Sequence, residues 1–126
     1  EMYDYAHKKG IAIINAAPFA GGILAIGSKK GKKITYQDVA KETLAPVIKI
    51  ENICEKFGIE MGAAALQFSL RDLRISSTLC GVSSPESIQK NLVWAQAPIP
   101  SEFWDEVLAL PFSTDDPEAN RVYTPG

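Results

Sequence analysis

Two runs of apolar residues, separated by helix-like segments, set the pattern of this chain. Residues 11–17 form a near-continuous apolar run that follows Gly10 and ends at Pro18. Residues 77–82 form a second, β-prone run that Gly81 interrupts near its end. Such runs are typical of strands covered on both faces in a parallel sheet. Both segments are therefore predicted to be buried strands.

In the remaining segments apolar residues recur every three or four positions, as on one face of a helix. Residues 1–9 are predicted to end a helix that Gly10 terminates, and Pro46 to open a helix that Gly58 ends. Further helices are expected at about 60–71, at 85–93 and after a Ser101 cap, with a short strand at 94–97. The expected inward-facing residues are Val47, Ile50, Cys54, Phe57, Met61, Ala64, Ala65, Leu66, Phe68, Phe103, Trp104, Val107 and Leu108.

This alternation of strands and helices predicts an α/β fold in which parallel strands are joined by crossover helices. About three strands with helices on one face make an incomplete layer. The chain is therefore expected to be part of a larger barrel, or to associate through its exposed strand edges. Because residue 1 already lies inside a predicted helix, the chain is interpreted as a fragment of a longer protein.

Residues 75–91 place a strand, a turn of small residues and a helix in succession. Ser83 or Ser84 can cap the helix and Pro85 suits its first position. If Ser83 is the cap, Glu86 completes a capping box. The free N–H groups and dipole of such a helix start favour a phosphate. An ordinary, well-capped connection explains the same residues, and both interpretations stay open.

Two loops carry further candidate chemistry. Gly21 and Gly22 follow the first strand at the end where α/β sheets bind ligands, so they allow either close ligand approach or a tight turn. Residues 27–33 are rich in glycine and lysine, which indicates a solvated loop or a flap over a phosphate-bearing ligand.

Composition excludes several classes of function. A net charge of −2 and a pI near 5.4 argue against nucleic acid or an anionic membrane as the main partner. Cys54 and Cys80 are expected to be reduced thiols of a cytoplasmic protein, and the single histidine, His7, offers neither a metal site nor a catalytic triad. No paired carboxylates and no phosphate-loop motif occur.

Four segments together resemble the aldo-keto reductase family. GIAIINAAPFAGGIL (10–24) resembles its sixth strand and following loop, and GVSSPESIQKN (81–91) its seventh strand end and adenosine-binding helix. AAALQFSLR (63–71) and IPSEFW (99–104) resemble the helix before that strand and the start of the last helix. The wording is closest to the sugar-oxidising branch that includes L-galactose dehydrogenase and D-threo-aldose 1-dehydrogenase.

The resemblance implies the C-terminal half of a (β/α)₈ TIM barrel, a single partial domain running from the end of helix 5 through helix 8. It also implies the cofactor-binding half of an NAD(P)-dependent oxidoreductase, which transfers hydride between nicotinamide and an aldose or another carbonyl or alcohol substrate. The family's catalytic tetrad lies in the N-terminal half, so no residue here takes a catalytic role and the fragment alone is expected to be inactive. The alternative is a truncated, non-catalytic half-barrel that binds a nucleotide or a protein, with self-association through its strand edges.

By the same resemblance, ten residues are assigned to the cofactor. The pyrophosphate loop would use Ala17, Phe19, Gly21, Gly22 and Leu24, and the adenosine end would use Gly81, Ser83, Ser87, Lys90 and Asn91. The chain departs from the family at three points: Ala16 lacks the aromatic ring that stacks on nicotinamide, Ser87 lacks a charge for a 2′-phosphate, and Lys90 replaces a common glutamate. The serine favours NAD and the lysine favours NADP; the balance is taken as NAD.

Overall fold

The computed structural model describes residues 2–30, 33–34, 37–38 and 41–113. Helices and strands are interspersed along them, as expected for an α/β chain. The helices are α1 (Met2–Lys8), α2 (Ile23–Ile26), α3 (Lys41–Phe57), α4 (Met61–Leu70), α5 (Pro85–Gln96) and α6 (Ser101–Leu108). The strands are β1 (Ile14–Ala16), β2 (Lys33–Ile34), β3 (Gln37–Asp38) and β4 (Ser77–Leu79), and Ala20–Gly22 forms a 3₁₀ turn.

Strands β1 and β4 pair in parallel, with Asn15 opposite Thr78. The long helices α3 and α4 form the crossover between them, which confirms the predicted parallel connection. Strands β2 and β3, which the sequence did not predict, form a separate antiparallel pair of two residues each.

The prediction that these strands are buried on both faces is wrong. Ile14 is 61% exposed and Leu79 is 56% exposed. Their neighbours Asn15 and Thr78 point to the opposite face, where both contact Ser69 of α4. Helix α4 thus covers one face of the strand pair, and no described element covers the other.

Two helices, α1 and α3, end at glycines whose backbone is in the left-handed region. At the end of α1, Gly10 has a φ of +67°. The Ile11 N–H donates to the Ala6 carbonyl at 2.9 Å and the Gly10 N–H to the His7 carbonyl at 3.0 Å, as in a Schellman motif. Gly58, with a φ of +66°, ends α3. Both predicted helix stops are confirmed.

Three predicted boundaries are wrong. Helix α3 begins at Lys41 rather than at Pro46, so Pro46 lies inside the helix, in its second turn, and does not open it. Residues 94–96 belong to α5 and not to a strand, because Gln67 Nε2 donates at 2.7 Å to the carbonyls of both Trp94 and Ala97 and closes the helix there. The cap residue of α6 is Pro100, so Ser101 is its first helical residue.

The core forms two clusters on opposite sides of α4. The first joins α3, α4 and α6 through Cys54, Ala64, Phe103 and Trp104, and the second joins α4 and α5 through Ala63, Leu66 and Trp94. Of the expected inward-facing residues, Phe68 is 52% and Leu108 59% exposed, so neither belongs to this core. Small residues on α4 let both neighbouring helices approach closely.

The sequence from Pro111 onward, with Asp115-Asp116-Pro117 and Thr124-Pro125, predicts an irregular tail over residues 111–126. Residues 111–113 are in no helix or strand. The rest of the predicted tail, 114–126, lies outside the described residues, as do residues 31–32 of the predicted basic loop.

A chain of polar side chains ties four elements together. Tyr3 of α1 donates to Asn15 of β1 at 3.4 Å, and Asn15 donates to Ser69 of α4 at 2.7 Å. The Ser69 hydroxyl is also 2.7 Å from that of Thr78 on β4, and Ser69 is 3% exposed. Because buried polar groups need partners, these hydrogen bonds fix α1 and α4 against the strand pair.

Ser69→Ala should therefore lower the free energy of unfolding by about 1–3 kcal/mol, because it leaves Asn15 and Thr78 without their shared partner. Urea denaturation measures the change. Ser101→Ala, at an exposed position on α6, serves as the control and should stay within about 0.5 kcal/mol of wild type. Equal stability of the two variants would show that the polar chain does not stabilise the fold.

Candidate functional site

A cavity of about 300 Å³ opens between the loop after β1 and the N-terminal half of α5. It lies past the carboxyl ends of the two parallel strands, which is where α/β sheets bind ligands. Its lining residues come from the loop and 3₁₀ turn after β1, from α2, from the loop after β4 and from α5: Phe19, Gly22, Ala25, Ile26, Gly81, Ser87, Lys90, Asn91 and Trp94.

The structure brings six of the ten sequence-predicted site residues to this cavity: Phe19, Gly22, Gly81, Ser87, Lys90 and Asn91. The other four, Ala17, Gly21, Leu24 and Ser83, do not line it. Sequence reasoning missed Ala25, Ile26 and Trp94. Trp94 was assigned to a strand, although its spacing of three from Asn91 and seven from Ser87 is helical and places all three on one face.

Two aromatic rings form the apolar part of the cavity wall. Phe19 meets Trp94 edge-on, with ring centroids 5.6 Å apart and an interplanar angle of 62°. Trp94 is 5% exposed, and its indole Nε1–H is buried without a hydrogen-bond partner among the described residues. A buried donor without a partner is rare in folded proteins.

The loop that leads into the cavity has unusual backbone angles. Gly21 and Gly22 have φ values of +73° and +98°, and the non-glycine residues Ala17 and Ala20 have φ values of +55° and +48°. Positive φ costs an alanine on the order of 1 kcal/mol or more, and such strain clusters at functional sites. The Gly22 N–H donates to the Phe19 carbonyl at 2.9 Å, which closes the tight turn expected at this position.

At two lining glycines the backbone faces empty space. A Cβ atom added at Gly22 or at Gly81 would meet nothing within 4 Å. The main chain is therefore directly accessible to a ligand at both points, one on each side of the cavity.

The start of α5 settles the choice of cap. Ser84, and not Ser83, is the N-cap residue, and its Oγ accepts from the Ser87 N–H at 3.2 Å. The pKa of Glu86 is lowered, because its carboxylate accepts from its own backbone N–H and from Ser84. The helix start thus already holds one negative charge, so a phosphate placed there would have to displace the Glu86 carboxylate.

Lys90 is the one charged residue among the described residues that line the cavity. Its ammonium lies 4.6 Å from the centroid of the Trp94 ring and 3.7 Å from Glu60 Oε2. The lysine is therefore held between an aromatic face and a carboxylate.

A carboxylate on α3 anchors the base of the basic loop. Glu51 accepts the Ser28 N–H at 2.6 Å and the Ser28 hydroxyl at 2.5 Å. Gly27 has a φ of +87°, and a Cβ there would lie 2.7 Å from the Glu51 carboxylate. Lys29 and Lys30 are exposed, as expected for a solvated loop.

The two cysteines and the histidine do not line this cavity. Both cysteines are free thiols; burial raises the pKa of Cys54 to about 11 and also raises the pKa of Cys80. His7 is exposed at the end of α1. Among the described residues no three metal-ligating side chains come together, and no helix there is long and apolar enough to cross a membrane.

A second cavity of about 350 Å³ lies at the opposite end of the strands, beside the polar chain that joins Tyr3 to Thr78. Arg74 binds Asp72 there, and their hydrogen bonds lower the pKa of Asp72 to about 2. Since Arg74 also pairs with Asp4, its charge is already neutralised by the protein. This cavity is therefore a poorer candidate for an anionic ligand.

Comparison with known proteins gives a consistent set of relatives. The sequence model of the aldo/keto reductase family matches residues 1–110. The chain is 40% identical over 104 residues to pyridoxal 4-dehydrogenase of Microbacterium luteolum, covering 82% of this chain and 30% of that protein. It is 29% identical over 108 residues to D-threo-aldose 1-dehydrogenase of a Pseudomonas species, covering 85% and 33% of the two chains.

A third relative, L-galactose dehydrogenase of Arabidopsis thaliana, is 28% identical over 92 residues, which are 73% of this chain and 28% of that one. The chain thus spans about a third of the length of the curated relatives that it matches.

The cavity wall generates a test of packing. A Cβ added at Gly62 of α4 would lie 2.3 Å from Trp94 Cη2. Gly62→Ala should therefore lower the free energy of unfolding by about 1–3 kcal/mol, although alanine alone favours a helix by about 1 kcal/mol. Thermal denaturation followed by circular dichroism measures the change.

The matched variant Gly62→Ala/Trp94→Phe has room for the added methyl group, so alanine should be less destabilising there than in the wild-type background. If Gly62→Ala is equally destabilising in both backgrounds, Trp94 does not set the spacing of the two helices.

Proposed function

Because the chain belongs to the aldo/keto reductase family, we propose that it forms the cofactor-binding, C-terminal half of an NAD(P)-dependent oxidoreductase barrel. The three relatives are named as dehydrogenases, which supports oxidoreductase activity for the protein in general. The proposed reaction moves a hydride between nicotinamide and a small carbonyl or alcohol substrate, with an aldose as the leading case.

One observation carries this proposal. Two segments separated along the chain by α3 and α4 meet at a single cavity, and six residues assigned to the cofactor from sequence line it. Phe19 and Gly22 come from the first segment, and Ser87, Lys90 and Asn91 from the second. The resemblance to the family assigned these segments to the two ends of one dinucleotide, and the fold puts them side by side.

The residues present fit the adenosine end of a dinucleotide. An aromatic base needs an apolar wall and a few polar groups at its edge. Phe19 and Trp94 supply the wall, and the Asn91 amide makes no hydrogen bond to the described residues, so it can pair with the base. Bare backbone at Gly22 and Gly81 leaves room for close approach.

The chain's own residues bind and orient; the bound dinucleotide would supply the hydride donor or acceptor. The resemblance places the acid–base residues in the other half of the barrel, so no catalytic residue is assigned here. The strained loop from Ala17 to Gly22 would hold the pyrophosphate. The hydrogen bonds between Glu51 and Ser28 would keep the segment that follows α2 in place.

The charges at the cavity favour NAD over NADP. Ser87 is uncharged, the Lys90 ammonium lies near Glu60, and Glu86 adds a negative charge at the start of α5. Among the described lining residues, a 2′-phosphate, with a charge of about −1.5 to −2, would meet only the cation of Lys90, which is already paired with Glu60. The ribose hydroxyl of NAD makes no such demand.

A second candidate rests on the uncovered face of the strand pair. Ile14 and Leu79 are both more than half exposed on that face. In the enzyme the missing half of the barrel would cover them; in a truncated, non-catalytic half-barrel a second copy or another protein would do so. Light scattering tests whether a second copy covers this face, because a half-barrel that pairs with itself must be at least a dimer.

The leading proposal is tested by Asn91→Ala in the full-length natural protein. Loss of one amide hydrogen bond should raise the Kd for NADH by about 3- to 10-fold without changing the melting temperature. Fluorescence titration of NADH measures the Kd. Gln89→Ala, on the exposed side of the same helix, is the control and should leave the Kd unchanged. An unchanged Kd for Asn91→Ala would show that Asn91 does not contact the cofactor. It would also contradict the proposed placement of the adenosine end at this residue.

A further inference from the structure

We propose that Glu60 is a specificity-determining residue of this cavity. By pairing with Lys90, the one cation among the described residues that line the cavity, it competes with a phosphate for that lysine, and so it selects a dinucleotide whose adenosine ribose carries a free 2′-hydroxyl. This inference rests on the proposed function, and it assigns a role to a residue that neither the motifs nor the cavity lining pointed out.

The position of Glu60 is fixed by the fold. It is the N-cap residue of α4, with φ −66° and ψ 130°, and its carbonyl accepts from the Ala63 N–H at 3.0 Å and the Ala64 N–H at 3.2 Å. Its side chain makes no capping hydrogen bond. The carboxylate is therefore free to extend toward α5, where its Oε2 lies 3.7 Å from Lys90 Nζ.

Helices α4 and α5 cannot change their spacing easily. The Trp94 ring packs directly over Gly62, two residues beyond Glu60. Gln67 of α4 binds the carbonyls of Trp94 and Ala97 at the far end of the same contact. Because both helices are held in this way, the backbone positions of Glu60 and Lys90 stay opposite each other. The Lys90 ammonium also lies 4.6 Å from the centroid of the Trp94 ring.

The charge balance then disfavours a phosphate. Lys90 contributes one positive charge, and Glu60 and Glu86 contribute one negative charge each, so these three groups carry −1. Neither the Ser87 hydroxyl nor the Asn91 amide adds charge. A 2′-phosphate would have to break the Lys90–Glu60 pair and approach two carboxylates, whereas a hydroxyl meets only neutral partners.

The pair matters for selectivity rather than for stability. The side chains of Lys90 and Glu60 are 56% and 65% exposed, and exposed pairs of this kind contribute little to folding. A 2′-phosphate places a charge of about −1.5 to −2 where NADH has a neutral hydroxyl, so release of the lysine should act strongly on NADPH and weakly on NADH.

The test is Glu60→Gln in the full-length natural protein, with Kd values for NADH and NADPH measured by fluorescence titration at low and high salt. The affinity for NADPH should rise about 5- to 20-fold at low salt, while the Kd for NADH stays within about twofold. The gain should shrink at high salt. Adding Lys90→Met to Glu60→Gln should abolish it. Glu55→Gln, at an exposed position on α3, is the control and should change neither Kd.

Two results would overturn the inference alone: a wild-type protein that prefers NADPH, or a Glu60→Gln variant with unchanged selectivity. A wild-type protein that binds neither dinucleotide would overturn the proposed function and this inference together. The titration of the wild type therefore separates the two failures.

Discussion

The contact between Trp94 and Gly62 is the constraint on which the site depends. The indole ring covers the glycine so closely that any side chain would collide with it. This contact sets the spacing of α4 and α5. The same indole ring packs edge-on against Phe19, and the Lys90 ammonium lies over its face. One buried ring thus links the core to the cavity wall. A change in the position of the Trp94 ring would move the loop after β1, the helix α5 and the Lys90 side chain together.

Around this ring the polar groups divide into those the fold uses and those it leaves unused. Asn15, Ser69 and Thr78 satisfy one another beneath the strands, and Glu51 is occupied by the Ser28 turn. At the cavity, by contrast, the Trp94 N–H and the Asn91 amide have no partner among the described residues. Folding normally pairs its buried polar groups, so the unpaired Trp94 N–H is unusual, and the half-buried Asn91 amide lines the cavity where a ligand can contact it.

Local patterns in the sequence were enough to predict the parallel strands, the glycine stops at Gly10 and Gly58, and a serine cap on α5. The burial of Ile14 was predicted wrongly, because the apolar run shows that a strand needs cover but not whether this chain supplies it. Trp94 was missed since an aromatic residue before two prolines resembles a strand, and only its helical spacing from Asn91 indicates otherwise. The pairing of Lys90 with Glu60 depends on how two helices pack, which no local pattern contains.

The most direct test of the account follows the indole N–H signals of Trp94 and Trp104 by NMR during titration of the full-length protein with NADH. Substituting each residue with Phe assigns its signal. Trp104 lies in the other core cluster and acts as an internal reference. The Trp94 signal should shift and saturate while that of Trp104 stays in place. Binding of NADH that leaves the Trp94 signal unmoved would contradict it, since the dinucleotide would then occupy a different site.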